Sequence, residues 1–252
     1  MTWRFIDTHC HLEQTEFNHD RAAIIKNALD SKIAMITSAI SEDSWNSGIE
    51  LTEKYDGIFT SIGLDPTGYE KCENAIGFIK QYSSDIVSIG EVGLDHYRTR
   101  DHLERDRQEE VFRRFIKLSI ELNLPIQIHS RSAGKKAIDV LDDMSAGAVH
   151  MHAFDGKSSY ARTASRDLGY YFSIPPSVVR SPQKQKLVKA IDLEKLLLET
   201  DSPVLGPERG VRNNPNNIRV ALQKVSEILG RDEEELRKII MENTLRLYTK
   251  IR

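Results

Sequence analysis

Residues 7–13 read DTHCHLE, and they overlap the end of the first β-prone run of the chain, RFID at residues 4–7. An open, doubly wound α/β sheet usually carries a Gly-rich phosphate-binding loop after its first strand. Here two histidines separated by one cysteine occupy that place. The stretch therefore favours the other common parallel architecture, a closed barrel of eight strands and eight helices, if the remaining sequence supplies them.

The remaining sequence alternates short apolar, β-prone runs with longer amphipathic segments. Eight runs have the length and composition of strands. They are RFID (4–7), KIAMITSA (32–39), GIFTSIG (57–63), DIVSIGEVG (85–93), LPIQIHS (124–130), AGAVHMHA (146–153), GYYFSI (169–174) and KLLLETD (195–201). Because a helix-like segment follows each run, we predict an α/β fold, a (β/α)8 TIM-type barrel.

Two segments show the clearest helical character, residues 102–123 and residues 232–248. The second begins with an aspartate suited to cap a helix and continues with acidic residues in its first turn. In the first, apolar residues recur at three- and four-residue spacing on one face. These residues are Val111, Phe115, Leu118 and Leu122.

The composition, with 39% hydrophobic and 29% charged residues among 252, is that of a globular protein. No apolar run approaches the roughly 20 residues that span a bilayer. The first residues, MTWRFIDTHCH, lack the apolar core of a secretory signal. With no long Gly/Ser linker to divide the chain, we expect one domain over residues 1–252, a cytoplasmic location, no membrane contact and no obligate protein partner.

The charge and cysteine content exclude two further classes. Two cysteines, Cys10 and Cys72, do not make a disulfide framework. A net charge of −3 and a pI of about 6.3 argue against a protein that coats nucleic acid through bulk electrostatics. They leave open a local basic groove, or a site where metal ions meet phosphates.

Six imidazole or carboxylate side chains fall at or just after the C-terminal ends of predicted strands. They are His9, His11, Glu91, His129, His152 and Asp201. Side chains from different strands converge at the C-terminal mouth of a barrel, where barrel enzymes do chemistry. These residue types bind metals, so their shared location predicts a metal site. His150 faces the same side as His152 and is a rival ligand, although His152 lies nearer the mouth.

Strand alternation places His9 and His11 on one side and Cys10 on the other. Cys10 is therefore expected behind the site, although a thiolate is a good soft ligand. Asp7 shares the face of the histidines. It either orients a ligand imidazole or caps a turn.

The ligand set is large enough for one or two divalent ions (Mg²⁺, Mn²⁺ or Zn²⁺) that share a carboxylate. Two ions roughly 3.5–4 Å apart activate a water molecule and neutralise charge on a phosphoryl oxygen and its leaving group. Asp201 can then bind one ion and accept the proton of the attacking water. Glu91, within the apolar SIGEVG (88–93), would be poorly solvated without a partner cation.

The segments around these residues resemble the TatD family of metal-dependent deoxyribonucleases, within the amidohydrolase-like barrels. The resembling segments occur in the order of the family and cover nearly the whole chain. They are DTHCHLE (7–13), IGEVGLDHYR (89–98), IQIHSR (126–131), MHAFDG (151–156), LLLETDSP (196–203), RNNPNNI (212–218) and ENTLRLY (242–248).

This resemblance implies a barrel that holds one or two divalent ions and hydrolyses phosphodiester bonds of DNA. It implies a metal-binding role for all six strand-end residues. Glu91 would be the carboxylate that bridges the ions, in the position where related barrels often have a modified lysine. Glu91 and Asp201 are thus the expected catalytic residues.

Two departures from the family pattern lie on the substrate side of the mouth. Where family members commonly have GxHPH after strand three, this chain has GLDPT, with Asp65 and Thr67. MHAFDG carries Ala153 and Asp155 in place of the usual Cys-Phe-Ser/Thr-Gly run. Both changes would alter substrate contacts more than the metal ligands.

Five further residues are candidates for substrate contact. They are Arg131, His96, Arg98, Asp65 and Arg212. Arginine suits bidentate contact with phosphate oxygens. The alternative for the cationic residues among them is a solvated surface charge.

Three functions are therefore compared. The leading one is a metal-dependent phosphodiesterase that acts on DNA. The second keeps the metal site but hydrolyses lactones, amides or phosphoesters of small molecules, as the departures near Asp65 and Asp155 would favour. The third is an inactive barrel kept as a binding module. This hypothesis is disfavoured because all six strand-end positions carry side chains that can bind a metal.

Overall fold

The computed structural model describes residues 3–251, and eight parallel strands within them form one sheet in chain order. The sheet curves into a nearly closed barrel, which confirms the predicted (β/α)8 fold. The strands are β1 (Phe5–Cys10), β2 (Ile33–Ala39), β3 (Ile58–Ile62), β4 (Ser88–Gly93), β5 (Ile126–His129), β6 (Val149–Met151), β7 (Tyr171–Ile174) and β8 (Leu196–Leu198).

Nine α-helices lie among the described residues, mostly between consecutive strands. They are α1 (Arg21–Asp30), α2 (Glu42–Lys54), α3 (Cys72–Gln81), α4 (His102–Leu122), α5 (Gly134–Asp143), α6 (Ser158–Asp167), α7 (Pro182–Val188), α8 (Ile218–Leu229) and α9 (Glu233–Leu247). Both helices with clear sequence patterns, α4 and α9, are confirmed. None of the helices within residues 3–251 has the length and apolarity to cross a membrane.

Hydrogen bonds between β1 and the segment after β8 draw the two edges of the sheet together. The Thr8 hydroxyl donates to the carbonyl oxygen of Leu198 at 2.9 Å. Beyond β8, the Asp201 amide donates to the carbonyl oxygen of His9, and the His11 amide to that of Ser202, both at 2.8 Å. This closure sets Asp201 beside His9 and His11.

Apolar side chains fill both faces of the sheet. One large cluster joins strand residues to the surrounding helices. A second cluster joins the alternate strand residues, which face the barrel interior, to Leu247, Tyr248 and Ile251 at the end of the chain. The end of α9 and the residues after it therefore cover the end of the barrel opposite the C-terminal ends of the strands.

The observed strands are shorter than the predicted ones at the mouth. β6 ends at Met151 and β8 at Leu198, so His152 and Asp201 lie in the turns that follow. Ala153 and Asp201 adopt positive φ angles of 39° and 52°, a conformation that cannot continue a strand. These turns direct the polar side chains over the mouth.

Candidate metal centre

The six predicted ligand side chains converge at the barrel mouth around Glu91. Glu91 comes from β4, is 5% exposed, and has its two carboxylate oxygens directed at different histidines. Gly93 allows β4 to approach β5 here, because a Cβ at this residue, whose φ is 143°, would lie 2.1 Å from the carbonyl oxygen of His129. Only glycine fits such a close backbone approach.

One oxygen of Glu91 faces His9 of β1 and His11, which directly follows β1. Its Oε2 lies 3.4 Å from His9 Nε2 and 3.6 Å from His11 Nε2. The two Nε2 atoms are 3.2 Å apart. Asp201 Oδ1 is on the same group, 3.4 Å from His11 Nε2 and 3.8 Å from His9 Nε2.

The other oxygen of Glu91 faces His129, at the end of β5, and His152, just after β6. Its Oε1 is in short contact with His129 Nδ1 and lies 3.2 Å from His152 Nε2. The His9 ring stacks on the His152 ring with their centroids 3.8 Å apart, so the two histidine pairs are adjacent. Glu91 thus lies between two separate sets of nitrogen donors.

Hydrogen bonds determine which nitrogen of His9 and of His11 carries the proton. His11 Nδ1 donates to the carbonyl oxygen of Ser38 at 2.8 Å. His9 Nδ1 is 2.9 Å from Gln127 Oε1, and that amide is oriented because its Nε2 donates to the carbonyl oxygen of Thr8 at 3.0 Å. Since a carbonyl oxygen only accepts, both Nδ1 atoms are donors, and in the neutral rings both Nε2 atoms present lone pairs.

Carboxylates orient the other two histidines. His129 Nε2 donates to Asp95 Oδ2 at 3.0 Å, and His152 Nδ1 donates to Glu199 Oε2 at 3.0 Å. The nitrogens that face Glu91 are therefore again free of protons in the neutral rings. Four inward lone pairs and two carboxylates, held by outward hydrogen bonds, are the donor chemistry of a divalent metal centre.

The electrostatics of the centre favour positive charge. Burial, the largest influence, opposes protonation of His11, but hydrogen bonds to Asp201 and Glu13 hold its pKa well above the usual value. Burial also opposes protonation of His129, yet the charge of Glu91 and the hydrogen bond to Asp95 raise its pKa to about 9. Carboxylates that stabilise an imidazolium in this way also attract a metal cation.

Two neighbouring residues, Cys10 and Asp7, have structural roles. The Cys10 thiol points away from the histidines and donates to the carbonyl oxygen of Ile36 at 3.4 Å, as strand alternation predicts. Asp7 contacts no imidazole; it accepts from the backbone amides of His9 and Thr200, at 3.3 and 2.7 Å, which resolves its role as capping.

His150, the rival ligand, lies deeper in the barrel than the centre. Its nitrogens bind the Tyr248 hydroxyl at 2.6 Å and the Ser173 hydroxyl at 2.7 Å. Burial, together with the charges of His9 and His152, lowers the pKa of His150 well below the usual value. It is a neutral, fully hydrogen-bonded interior residue.

A cavity of about 700 Å³ opens above the centre. Of the five predicted substrate-contact residues, Arg131 and Asp65 line it. The Arg131 guanidinium lies over the exposed Tyr97 ring, 3.9 Å from the centroid. Asp155, the residue that departs from the family pattern after β6, also lines the cavity and accepts from the Ser132 amide at 3.0 Å.

The other three predicted contacts do not line this cavity. Arg98 donates to Asp95 and Asp65, both at 2.8 Å, so it links the mouth to the partner of His129. His96 lines a neighbouring groove.

Arg212, the last predicted contact, is engaged on the surface beside α1. It forms an ion pair with Asp20, donates to the carbonyl oxygen of Glu16 at 2.6 Å, and lies over the Phe17 ring. These partners take up the side chain of Arg212 in this structure.

Sequence reasoning missed the residues that orient the candidate ligands. Asp95 and Glu199 lie within four residues of the candidate ligands Glu91 and Asp201, so their acidic character was a usable signal. Gln127 lies two residues before His129 and therefore on its strand face, which was a weaker signal. Lys184 of α7 is buried and lines the cavity. Its burial could not be predicted, because the surrounding sequence RSPQKQK (180–186) is polar and typical of an exposed segment.

We predict that Gln127→Leu lowers the affinity for a divalent metal by about 10- to 100-fold, because His9 loses the acceptor that fixes its tautomer. Gln127→Glu keeps an acceptor at this position and should retain more of the affinity. Competition titration against a chelating indicator measures both, with circular dichroism as the check on folding. A folded Leu variant that binds metal as tightly as the wild type would contradict the positioning role.

Comparison with known proteins agrees with this geometry. The family model described as "TatD related DNase" matches residues 6–249. "Deoxyribonuclease TATDN3" from Homo sapiens is 36% identical over 263 residues, which cover 98% of this chain and 95% of that protein. "Uncharacterized metal-dependent hydrolase YabD" from Bacillus subtilis (strain 168) is 33% identical and covers 96% and 98%.

Solved structures give the same result. The crystal structure of YJJV, described as a TatD homologue from Escherichia coli, has a TM-score of 0.85 at 25% identity and covers 99% of each chain. A TatD family hydrolase from Entamoeba histolytica has a TM-score of 0.87 at 19% identity, covers 98% of this chain and 99% of its own, and supports the fold.

Proposed function

Since this chain belongs to the TatD-related DNase family and is a metal-dependent hydrolase, we propose that it cleaves phosphodiester bonds of DNA at the centre around Glu91. The observation that carries the proposal is the position of Glu91, whose two oxygens face two separate histidine pairs. A carboxylate so placed is suited to bridge two cations, an arrangement common among phosphodiester-cleaving centres. We take the whole barrel, with its single sheet, as one functional domain.

Two divalent ions would be held by these six side chains, with Glu91 available to both. His9, His11 and Asp201 form one group, and His129 and His152 form the other together with Glu91. Within each group the donor atoms all lie within 4.8 Å of one another. Divalent ions bound there would lower the pKa of a metal-bound water molecule and neutralise part of the negative charge on the phosphoryl oxygens.

The residues of the chain perform the remaining steps. Asp201 lines the cavity beside His9 and His11, and in this proposal its carboxylate accepts the proton of the attacking water. Asp95 and Glu199 hold the rings of His129 and His152 in place during the reaction. Because Glu91 is 5% exposed, it is shielded from bulk water, which strengthens its interaction with bound cations.

The test compares substrates after the protein has been stripped of metal and reloaded with Mg²⁺, Mn²⁺ or Zn²⁺. We expect hydrolysis of a single-stranded oligodeoxynucleotide that depends on the added metal, and little turnover of a panel of lactones, amides and small phosphoesters. Rapid lactone or amide turnover with intact oligonucleotide would replace DNA with a small-molecule substrate. Bound metal with no turnover of any substrate would favour the inactive binding module.

A further inference from the structure

Three cationic side chains line the cavity above the centre. These residues, called here the cationic wall, are Arg131, Arg180 and Lys184. They come from three different parts of the chain: the segment after β5, the segment between β7 and α7, and α7 itself. None of the three has a carboxylate oxygen within 4.0 Å in the part of the chain that the structure describes.

Lys184 is the most unusual member of the wall, because it is only 6% exposed. Its ammonium group donates to the carbonyl oxygens of Ala153 at 2.5 Å and Phe154 at 2.7 Å. A buried ammonium without a counter-ion is costly. Consistent with that cost, burial lowers the pKa of Lys184 to about 8. The charges of Glu199, Asp155 and Asp201 act in the opposite direction on this pKa. None of these carboxylates forms an ion pair with Lys184 among the described residues, so an anion in the adjoining cavity would supply a direct counter-ion.

The two arginines also have only neutral partners. Arg180 donates through Nε to the carbonyl oxygen of Gly206 at 3.2 Å, and Arg131 lies over the Tyr97 ring. Each guanidinium has five N–H donors, so most of them remain available to a ligand. Arginine forks match the paired oxygens of a phosphate group.

The carboxylates of the cavity do not cancel this charge. Asp65, which also lines the cavity, is already paired with Arg98. Asp155 adds one negative charge near the wall. Glu91 and Asp201 belong to the proposed ion sites, whose bound cations would neutralise them. The wall therefore keeps an excess of positive charge toward the cavity.

We propose that the cationic wall binds a second phosphate of the substrate, next to the phosphate that is cleaved at the metal centre. This inference rests on the proposed function and makes it more specific. It identifies the substrate as a strand that carries consecutive phosphates and disfavours an isolated phosphodiester or a neutral lactone. The neutral partners of the wall leave its charge free for this contact.

The experiment compares two substrates and three variants loaded with metal. Bis(p-nitrophenyl) phosphate has one phosphodiester and no flanking phosphate, whereas a short single-stranded oligodeoxynucleotide has several. We expect Arg180→Gln and Arg131→Gln each to raise KM for the oligonucleotide about tenfold, because each variant loses one charged contact with the substrate. Hydrolysis of bis(p-nitrophenyl) phosphate should change less than about twofold. Lys186→Gln, an exposed charge on the same helix as Lys184, should leave both substrates unaffected.

A binding arm makes the test independent of turnover. The metal-loaded wild type and variants are titrated with a fluorescent phosphorothioate oligonucleotide over a range of salt concentrations. Each lost phosphate contact should weaken binding and reduce the slope of log Kd against log salt. Lys184→Met should also bind the oligonucleotide more weakly and with a smaller salt dependence, provided that circular dichroism shows it to be folded. If it is not folded, the two arginine variants alone test the site.

The outcomes separate the two proposals. Equal losses on both substrates, or wall variants that bind the oligonucleotide like Lys186→Gln, would overturn the second-phosphate site while leaving the phosphodiesterase intact. Failure of the wild type to hydrolyse either phosphodiester with any metal would overturn the proposed function. The binding measurements would then still decide whether the cationic wall binds an oligonucleotide.

Discussion

Asp201→Asn is expected to reduce metal-dependent hydrolysis by about 10³-fold or more. The asparagine keeps the size of the side chain, but it removes both a negatively charged ligand and the group that accepts the proton of water. The backbone should hold its place, because the Asp201 amide donates to the carbonyl oxygen of His9 regardless of the side chain. Steady-state kinetics on an oligodeoxynucleotide at saturating metal measures the effect.

Asp142→Asn, which changes an exposed aspartate at the C-terminal end of α5, is the matched control and should retain wild-type rates. Far-ultraviolet circular dichroism and thermal unfolding establish that both variants fold. An Asp201→Asn protein with more than about a tenth of wild-type activity would remove Asp201 from the reaction, because loss of a general base costs at least about 10²-fold.

Saturating divalent metal is expected to stabilise the wild-type fold substantially, and Glu91→Gln is expected to lose most of that gain. A ligand that binds only the folded state at about 1,000 times its Kd adds about 4 kcal/mol to the free energy of unfolding. For a chain of this length that corresponds to a rise of about 10 °C in Tm. Glu91 should dominate the gain because its two oxygens face both histidine pairs.

Differential scanning fluorimetry with and without chelator measures this shift. Glu121→Gln, which alters an exposed glutamate paired with Lys80, should show the full metal-induced rise. If folded Glu91→Gln showed the same rise as the wild type, the metal would bind elsewhere and the assignment of the centre would be wrong.

The barrel could be predicted from sequence because each strand has a local signature. Apolar, β-prone runs recur eight times, and the helices between them show amphipathic spacing or caps. Asp232, for example, accepts hydrogen bonds from the amides of Glu234 and Glu235, as its position before an acidic turn suggests. The strand ends were less predictable, because Ala153 and Asp201 leave the strand conformation through positive φ angles that no local pattern marks.

The convergence of the six ligand candidates followed from the same logic, since a closed barrel brings all strand ends to one mouth. The hydrogen bonds that orient them did not follow. Gln127 reaches His9 across 118 positions of the chain, and its amide also bonds the Tyr248 hydroxyl at 2.9 Å, a residue of the closing segment. Such pairings depend on the register of packed side chains, which periodicity does not specify.

Substrate contacts were the hardest to predict, because a charged side chain can be neutralised by a partner remote in sequence. Arg98 and Asp65 were both candidates, yet they bond each other. Arg212 is paired with Asp20, 192 positions away. Lys184, in contrast, is a surface residue by sequence pattern but is buried against the cavity through two backbone carbonyl oxygens.

The central claim, that Glu91 bridges two ions, is tested most directly by anomalous diffraction from crystals grown with Mn²⁺. The account predicts two anomalous peaks, one on each side of the Glu91 carboxylate. One should lie among His9, His11 and Asp201, and the other should contact His129 and His152. A single peak that Glu91 does not touch, or no peak at the barrel mouth at saturating Mn²⁺, would contradict it.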